Sequence, residues 1–140
     1  MKKRLLFVCT HNSARSQMAE GLVNARYGDR YVARSAGTGP RGVHRMAVEV
    51  LGEIGIDISG HVSESVSAYM GERFDLVVTV CDHAKEECPF FPGAASHESV
   101  SFRDPADAAG SCDEESTRNA FRAVRDEIGA WLGRRFGADG

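Results

Sequence analysis

The sequence predicts a single α/β domain: an open parallel sheet of about four strands with helices on both faces. Three observations predict it. Leu5–Cys9 and Phe74–Cys81 are short, nearly continuous apolar runs, the pattern of strands buried on both sides. The segments between and after such runs place apolar residues at helical spacing, so strands and helices alternate. With 140 residues the chain has the size of one domain and can bury a real core. We assign 1–136 to one domain and 137–140 to a frayed tail.

Leu5–Cys9 is the first strand, and the polar stretch Thr10–Arg15 ends it. Ser16–Tyr27 reads as a helix with Met18, Leu22, Val23 and Ala25 as its apolar residues, stopped by Gly28-Asp29. Tyr31–Ala36 is a second strand, closed by Gly37-Thr38-Gly39-Pro40. Val43–Ile54 is a second helix, with Ala47, Val48, Val50, Leu51 and Ile54 on one face. Ile56–Ile58 reads as a short extended piece, and Ser63–Met70 as a short helix capped by Ser63. Phe74–Cys81 is β-branched and apolar, which suits a central strand. Glu98–Phe102 is the last strand. Glu115–Phe136 is a long amphipathic helix presenting Phe121, Val124, Ile128, Trp131 and Leu132.

Composition excludes several classes. A net charge of −3 lacks the basic surplus of a dedicated nucleic-acid binder. The apolar run after Lys2-Lys3-Arg4 is too short for a secretory signal, and no segment approaches the ~20 apolar residues of a membrane helix. A cytoplasmic protein is expected. There the four cysteines, Cys9, Cys81, Cys88 and Cys112, point to catalysis, redox chemistry or metal rather than a disulfide framework.

In open parallel sheets ligands bind beyond the carboxyl ends of the strands. Three features fall there: the Cys9 loop, Cys81 and the Asp104 loop. Cys9-Thr10-His11-Asn12-Ser13-Ala14-Arg15-Ser16 lies between a strand and a helix. A loop entering a helix N-terminus aims backbone N–H groups at one point, and the helix dipole adds positive potential. A tetrahedral oxyanion fits there, cradled by residues Thr10 to Arg15, with Arg15 clamping two oxygens. The same field favours a Cys9 thiolate, to which Ser16 can donate a hydrogen bond. Asn12 tolerates the left-handed backbone of a tight anion loop. The bland alternative is a strand ending in a buried Cys, followed by a solvated Arg15.

Asp104-Pro105 can supply the acid that protonates a leaving oxygen, although Asp-Pro also simply starts turns. Cys81 and Cys88 can form a redox pair carrying two electrons. Cys81 can equally be an ordinary buried residue. A metal site from Cys81, His83 and Cys88 lacks a fourth ligand and zinc-like spacing, so no metal is assigned.

The chain resembles the thioredoxin-coupled arsenate reductases, built on the low-molecular-weight protein tyrosine phosphatase fold. The likeness runs through Phe7–Gly21, Ser35-Ala36-Gly37, Asp57-Ile58-Ser59, Asp75–Cys81, Cys88-Pro89 and Asp104-Pro105-Ala106. The resemblance implies reduction of arsenate to arsenite by a relay. Cys9 attacks arsenate with Asp104 assisting a departing hydroxyl, a Cys9–Cys81 disulfide releases arsenite, and a Cys81–Cys88 disulfide is then reduced by thioredoxin. It implies no tightly bound cofactor, except a potassium ion in some members, whose ligand positions match Asn12, Glu20 and Ser35; Val62 stands where an oxygen-bearing side chain would be expected. It also leaves open a phosphatase that uses only Cys9, Arg15 and Asp104. Ala106-Asp107-Ala108 after the Asp-Pro lacks the aromatic residues that grip an aryl phosphate, and Ala14 stands where many members carry a Cys. His11 reads as a solvent-facing loop residue, Cys112 as an incidental thiol, and the protein as a monomer.

Overall fold

The computed structural model describes residues 2–80, 91–105 and 113–137. Cys81, Cys88 and Cys112 lie outside the described residues. Four parallel strands form one sheet: β1 (Lys3–Cys9), β2 (Tyr31–Gly37), β3 (Leu76–Thr79) and β4 (His97–Ser99). Their order is β2-β1-β3-β4. Among the described residues the helices are α1 (Arg15–Arg26), α2 (Arg45–Gly52) and α3 (Glu114–Phe136), with a 3₁₀ turn η1 at Val66–Tyr69.

The two apolar runs hold the two inner strands, with β3 shorter than the expected Phe74–Cys81. Leu5 to Cys9 and Leu76 to Thr79 are buried at every position, and each odd and even residue faces opposite sides of the sheet. Both sides of the sheet centre are therefore covered. β1 pairs with β2 from Lys3↔Tyr31 to Cys9↔Gly37 and with β3 from Leu5↔Leu76 to Val8↔Thr79. β4 is a three-residue edge, shorter than the expected Glu98–Phe102. Its direction persists, because Val100 N–H donates to Thr79 and Phe102 N–H to Val80.

α1 packs on β1 and β2, and α3 packs on both α1 and α2. α3 buries Phe121, Val124, Ile128, Leu132 and Phe136, with Trp131 half-buried beside Phe102 and Phe136. Burying each such side chain contributes about 1.5–3 kcal/mol. Ala25 is exposed rather than packed, and Ile54 is 38% exposed because α2 ends at Gly52, two residues before it. The cap expected at Ser63 is instead Ser65, whose Oγ accepts from Ser67 N–H at 3.2 Å. Ser63 is engaged elsewhere, as described below. Among the described residues no helix is long and apolar enough to cross a membrane.

A charged strap joins the end of α2 to α3. Glu53 accepts from Arg122 Nε (2.9 Å) and Nη2 (2.6 Å) and from Arg125 Nη1 (3.0 Å). The Arg122 hydrogen bonds, with Arg125 behind them, hold its carboxyl down at about 2. A carboxylate so depressed adds stability above its unfolded value, and that stability is lost as pH falls through the folded value. Glu53→Gln should therefore lower the melting temperature at pH 7, and the gap to wild type should close between about pH 5 and pH 2. Thermal melts across that range check it; a gap constant with pH contradicts the strap.

Candidate active site

The sheet order sets the location. After β1 the chain moves to β2 on one side, and later returns to β3 on the other. Such a switch opens a crevice at the carboxyl ends of the inner strands. Cys9 is the last residue of β1 and Arg15 the first of α1. A cavity of about 400 Å³ opens there, and Cys9, Ser13, Ala14, Arg15 and Asp104 line it.

Cys9 is 2% exposed. Its Sγ lies 2.9 Å from Ser16 Oγ. Ser16 Oγ accepts from Asn12 Nδ2 at 2.8 Å, which leaves the Ser16 hydroxyl hydrogen to donate to sulfur. α1 begins at Ala14 without a side-chain cap and without an acidic residue in its first turn. Its amino end is thus left for an anion, and its dipole favours negative charge on the sulfur.

Asn12 fixes the loop. It is fully buried with φ of 47°, as its residue type allowed. Its Oδ1 accepts from Glu64 N–H (2.9 Å) and Gln17 Nε2 (3.0 Å), and its carbonyl accepts from Ser63 Oγ at 2.6 Å. This is the engagement that takes Ser63 away from capping η1. Gly37, ending β2, presses on the same loop: a Cβ there would sit 2.7 Å from the Thr10 carbonyl and 2.8 Å from Asn12 N. Only glycine fits so close an approach.

Arg15 and Asp104 lie together at the cavity. Arg15 Nη1 donates to the Phe102 carbonyl at 3.1 Å, and Nη2 lies 3.6 Å from Asp104 Oδ2. Their side chains are 14% and 35% exposed. The β4 extension thus carries Asp104 to the cavity that Cys9 also lines.

Of the expected cradle, His11, Ser13, Ala14 and Arg15 line the cavity, while Asn12 is fully buried and the Thr10 carbonyl accepts from Gly39 N–H at 2.7 Å. His11 does not simply face solvent: it is half-buried and lines the cavity. Sequence reasoning missed Arg41, His44 and Phe121, which line it too. A usable signal existed, since Arg41 and His44 follow β2, whose carboxyl end adjoins that of β1. His44 Nδ1 accepts from Met46 N–H at 3.1 Å as the cap of α2. Burial, aided by Arg45 and opposed by Asp104, holds the His44 ring below its ordinary value.

Behind the loop, Glu20 is a half-buried carboxylate. Ser35 Oγ donates to its Oε1 at 2.6 Å, and His61 Nε2 lies 3.7 Å from its Oε2. Burial pushes its carboxyl above the ordinary range against the pull of Ser35 and His61. Gln17 bridges from Asn12 Oδ1 (3.0 Å) to His61 Nδ1 (2.9 Å), so one network joins Asn12 to Glu20. Oxygen donors beside an incompletely compensated carboxylate fit a hard monovalent cation. Val62 offers only its carbonyl, which accepts from Gln17 Nε2 at 3.1 Å. Among the described residues no group of three or more His, Cys, Asp or Glu is placed to hold a metal ion.

Residues 4–134 match the low molecular weight phosphotyrosine protein phosphatase family. The chain belongs to that family. It is 46% identical over 128 residues to an arsenate reductase of Halalkalibacterium halodurans, covering 91% of each chain. It is 42% identical over 127 residues to an arsenate reductase of Bacillus subtilis, covering 91% of this chain and 90% of that one. Among solved structures, an arsenate reductase in the phosphate binding state superposes with a TM-score of 0.81 at 27% identity, covering 96% and 97% of the two chains. A low molecular weight protein tyrosine phosphatase from T. tengcongensis superposes at 0.70 and 26%, covering 97% and 99%.

Ser16→Ala removes the hydrogen bond to sulfur and, with it, the acceptor of Asn12 Nδ2. A hydrogen bond to a charged group is worth about 1.5–3 kcal/mol, so the pH at which Cys9 alkylation half-saturates should rise by about one to two units. Peptide-resolved iodoacetamide kinetics measure it; an unmoved profile contradicts the role given to Ser16.

Proposed function

We propose that the protein reduces arsenate to arsenite through a three-cysteine relay regenerated by thioredoxin. The observation that carries this reading is the likeness, along nine-tenths of both chains, to proteins named arsenate reductase. The cavity supports it by gathering a thiol, an arginine and a carboxyl. Cys81 and Cys88, the two further thiols it needs, are in the sequence.

Cys9 Sγ attacks the arsenic of arsenate held over the amino end of α1, with Arg15 binding two oxygens. Asp104 gives a proton to the departing hydroxyl, which leaves as water. The result is an S–As bond with arsenic still pentavalent. The Cys81 thiolate then attacks Cys9 Sγ. A Cys9–Cys81 bond forms, the S–As electron pair passes to arsenic, and arsenite leaves. Cys88 attacks Cys81 Sγ, returning the Cys9 thiolate and leaving a Cys81–Cys88 disulfide. The thioredoxin dithiol reduces that disulfide and is itself oxidised. Ala14, beside Arg15, offers no competing thiol in the cavity wall. A potassium ion would be held by Asn12, Glu20 and Ser35 and would supply a charge offsetting Glu20. The reading takes the protein to work as a cytoplasmic monomer.

The test is NADPH consumption with arsenate, thioredoxin and thioredoxin reductase, for wild type and Cys88→Ser. Steady turnover in wild type should fall at least 100-fold in the variant, because each molecule stops after its first cycle. Turnover indifferent to Cys88 contradicts the relay. No turnover in wild type, with aryl phosphate hydrolysed well, favours a phosphomonoesterase needing only Cys9, Arg15 and Asp104.

A further inference from the structure

The cavity is larger than the anion its loop would hold. About 400 Å³ lies within the range of sites that take whole organic ligands, roughly 300–1,000 Å³. A bare oxyanion, one central atom and four oxygens, leaves much of it unfilled. The remaining walls are His11, Arg41, His44 and Phe121.

These walls are fixed to the anion loop. The segment after β2 is laced to it by four backbone hydrogen bonds: Thr38 N–H to Cys9 (3.3 Å), Gly39 N–H to Thr10 (2.7 Å), Arg41 N–H to His11 (2.9 Å) and His44 N–H to Ser13 (2.9 Å). Arg41 is exposed, and among the described residues its guanidinium has no ion-pair or hydrogen-bond partner. His44 spends Nδ1 on the α2 cap, which places the proton of the neutral ring on Nε2 as a donor. Its ring packs on Phe121 with centroids 4.6 Å apart, an apolar wall between the two polar ends.

We propose that the cavity mouth is a second anion subsite, in which Arg41, aided by His44 and His11, binds the carboxylate of a ligand whose other end is the oxyanion held by the Cys9 loop. A planar carboxylate suits the guanidinium fork, which can grip both its oxygens. The site then binds an organic oxyanion that carries a carboxylate on a short arm more tightly than the same oxyanion without it. This rests on the reading of the Cys9 loop as an oxyanion cradle, and not on which reaction follows.

The test is protection of Cys9 from iodoacetamide, followed on its own peptide, in wild type and Arg41→Ala. The probes are methylphosphonate, phosphonoacetate and 3-phosphonopropionate. In wild type at least one phosphonocarboxylate should half-protect Cys9 at a concentration at least tenfold below methylphosphonate. Arg41→Ala should abolish that advantage and leave protection by methylphosphonate unchanged. Equal protection by all three probes in wild type overturns the subsite, as does an advantage that survives in Arg41→Ala. If methylphosphonate too fails to protect, the oxyanion cradle itself is wrong and the subsite falls with it.

Discussion

Asn12 sits fully buried in a left-handed backbone conformation, and its amide ties three segments together. One end donates to Ser16, which in turn faces the Cys9 sulfur. The other accepts from Gln17 and from the backbone of Glu64. Left-handed backbone is costly for a residue with a Cβ, so these bonds must outweigh it. They also decide the chemistry. With the Asn12 amide donating to Ser16 Oγ, the serine hydrogen is directed at the thiol. Release Asn12 and the loop loses its curvature, its link to residues 63–64 and the bond that orients Ser16 toward sulfur together.

The rest of the site follows from a sheet whose order reverses beside β1. That order lays the loops after β1 and β2 side by side, which is why Gly39, Arg41 and His44 can bond to the anion loop through their backbones. On the other side, β3 and β4 bring Phe102 and Asp104 to Arg15. Gly37 is the tight point between these halves, because the Thr10 carbonyl and Asn12 occupy the space of its missing side chain. Rigidity at the thiol thus has a source in ladder pairing rather than in the loop alone.

Much of this was legible in the sequence because the signals were local. Leu5–Cys9 and Phe74–Cys81 read as inner strands since an unbroken apolar run has no other comfortable place in a parallel sheet. The Cys9–Ser16 loop read as an anion site since the strand-to-helix transition is visible in the residues themselves. Ends were less legible: β4 stops at Ser99, and α2 stops before Ile54. The rim was hidden because it is assembled by topology. Arg41 and His44 carry one signal, their position after β2, and it points to the cavity only once β2 is known to lie beside β1. His11 was misread for the same reason, since its neighbours across the cavity are remote in sequence. Ser63 looked like a cap, and a nearer serine with better placement took that role while Ser63 bonded to Asn12.

The central claim is that the thiol in this cavity passes electrons to the oxyanion rather than merely binding or hydrolysing its ester. A single-turnover experiment addresses it directly: fully reduced protein, arsenate in excess and no external reductant. The account predicts one arsenite released per chain, with two of the four cysteine thiols lost to titration. All four thiols remaining titratable, with no arsenite formed, would contradict it.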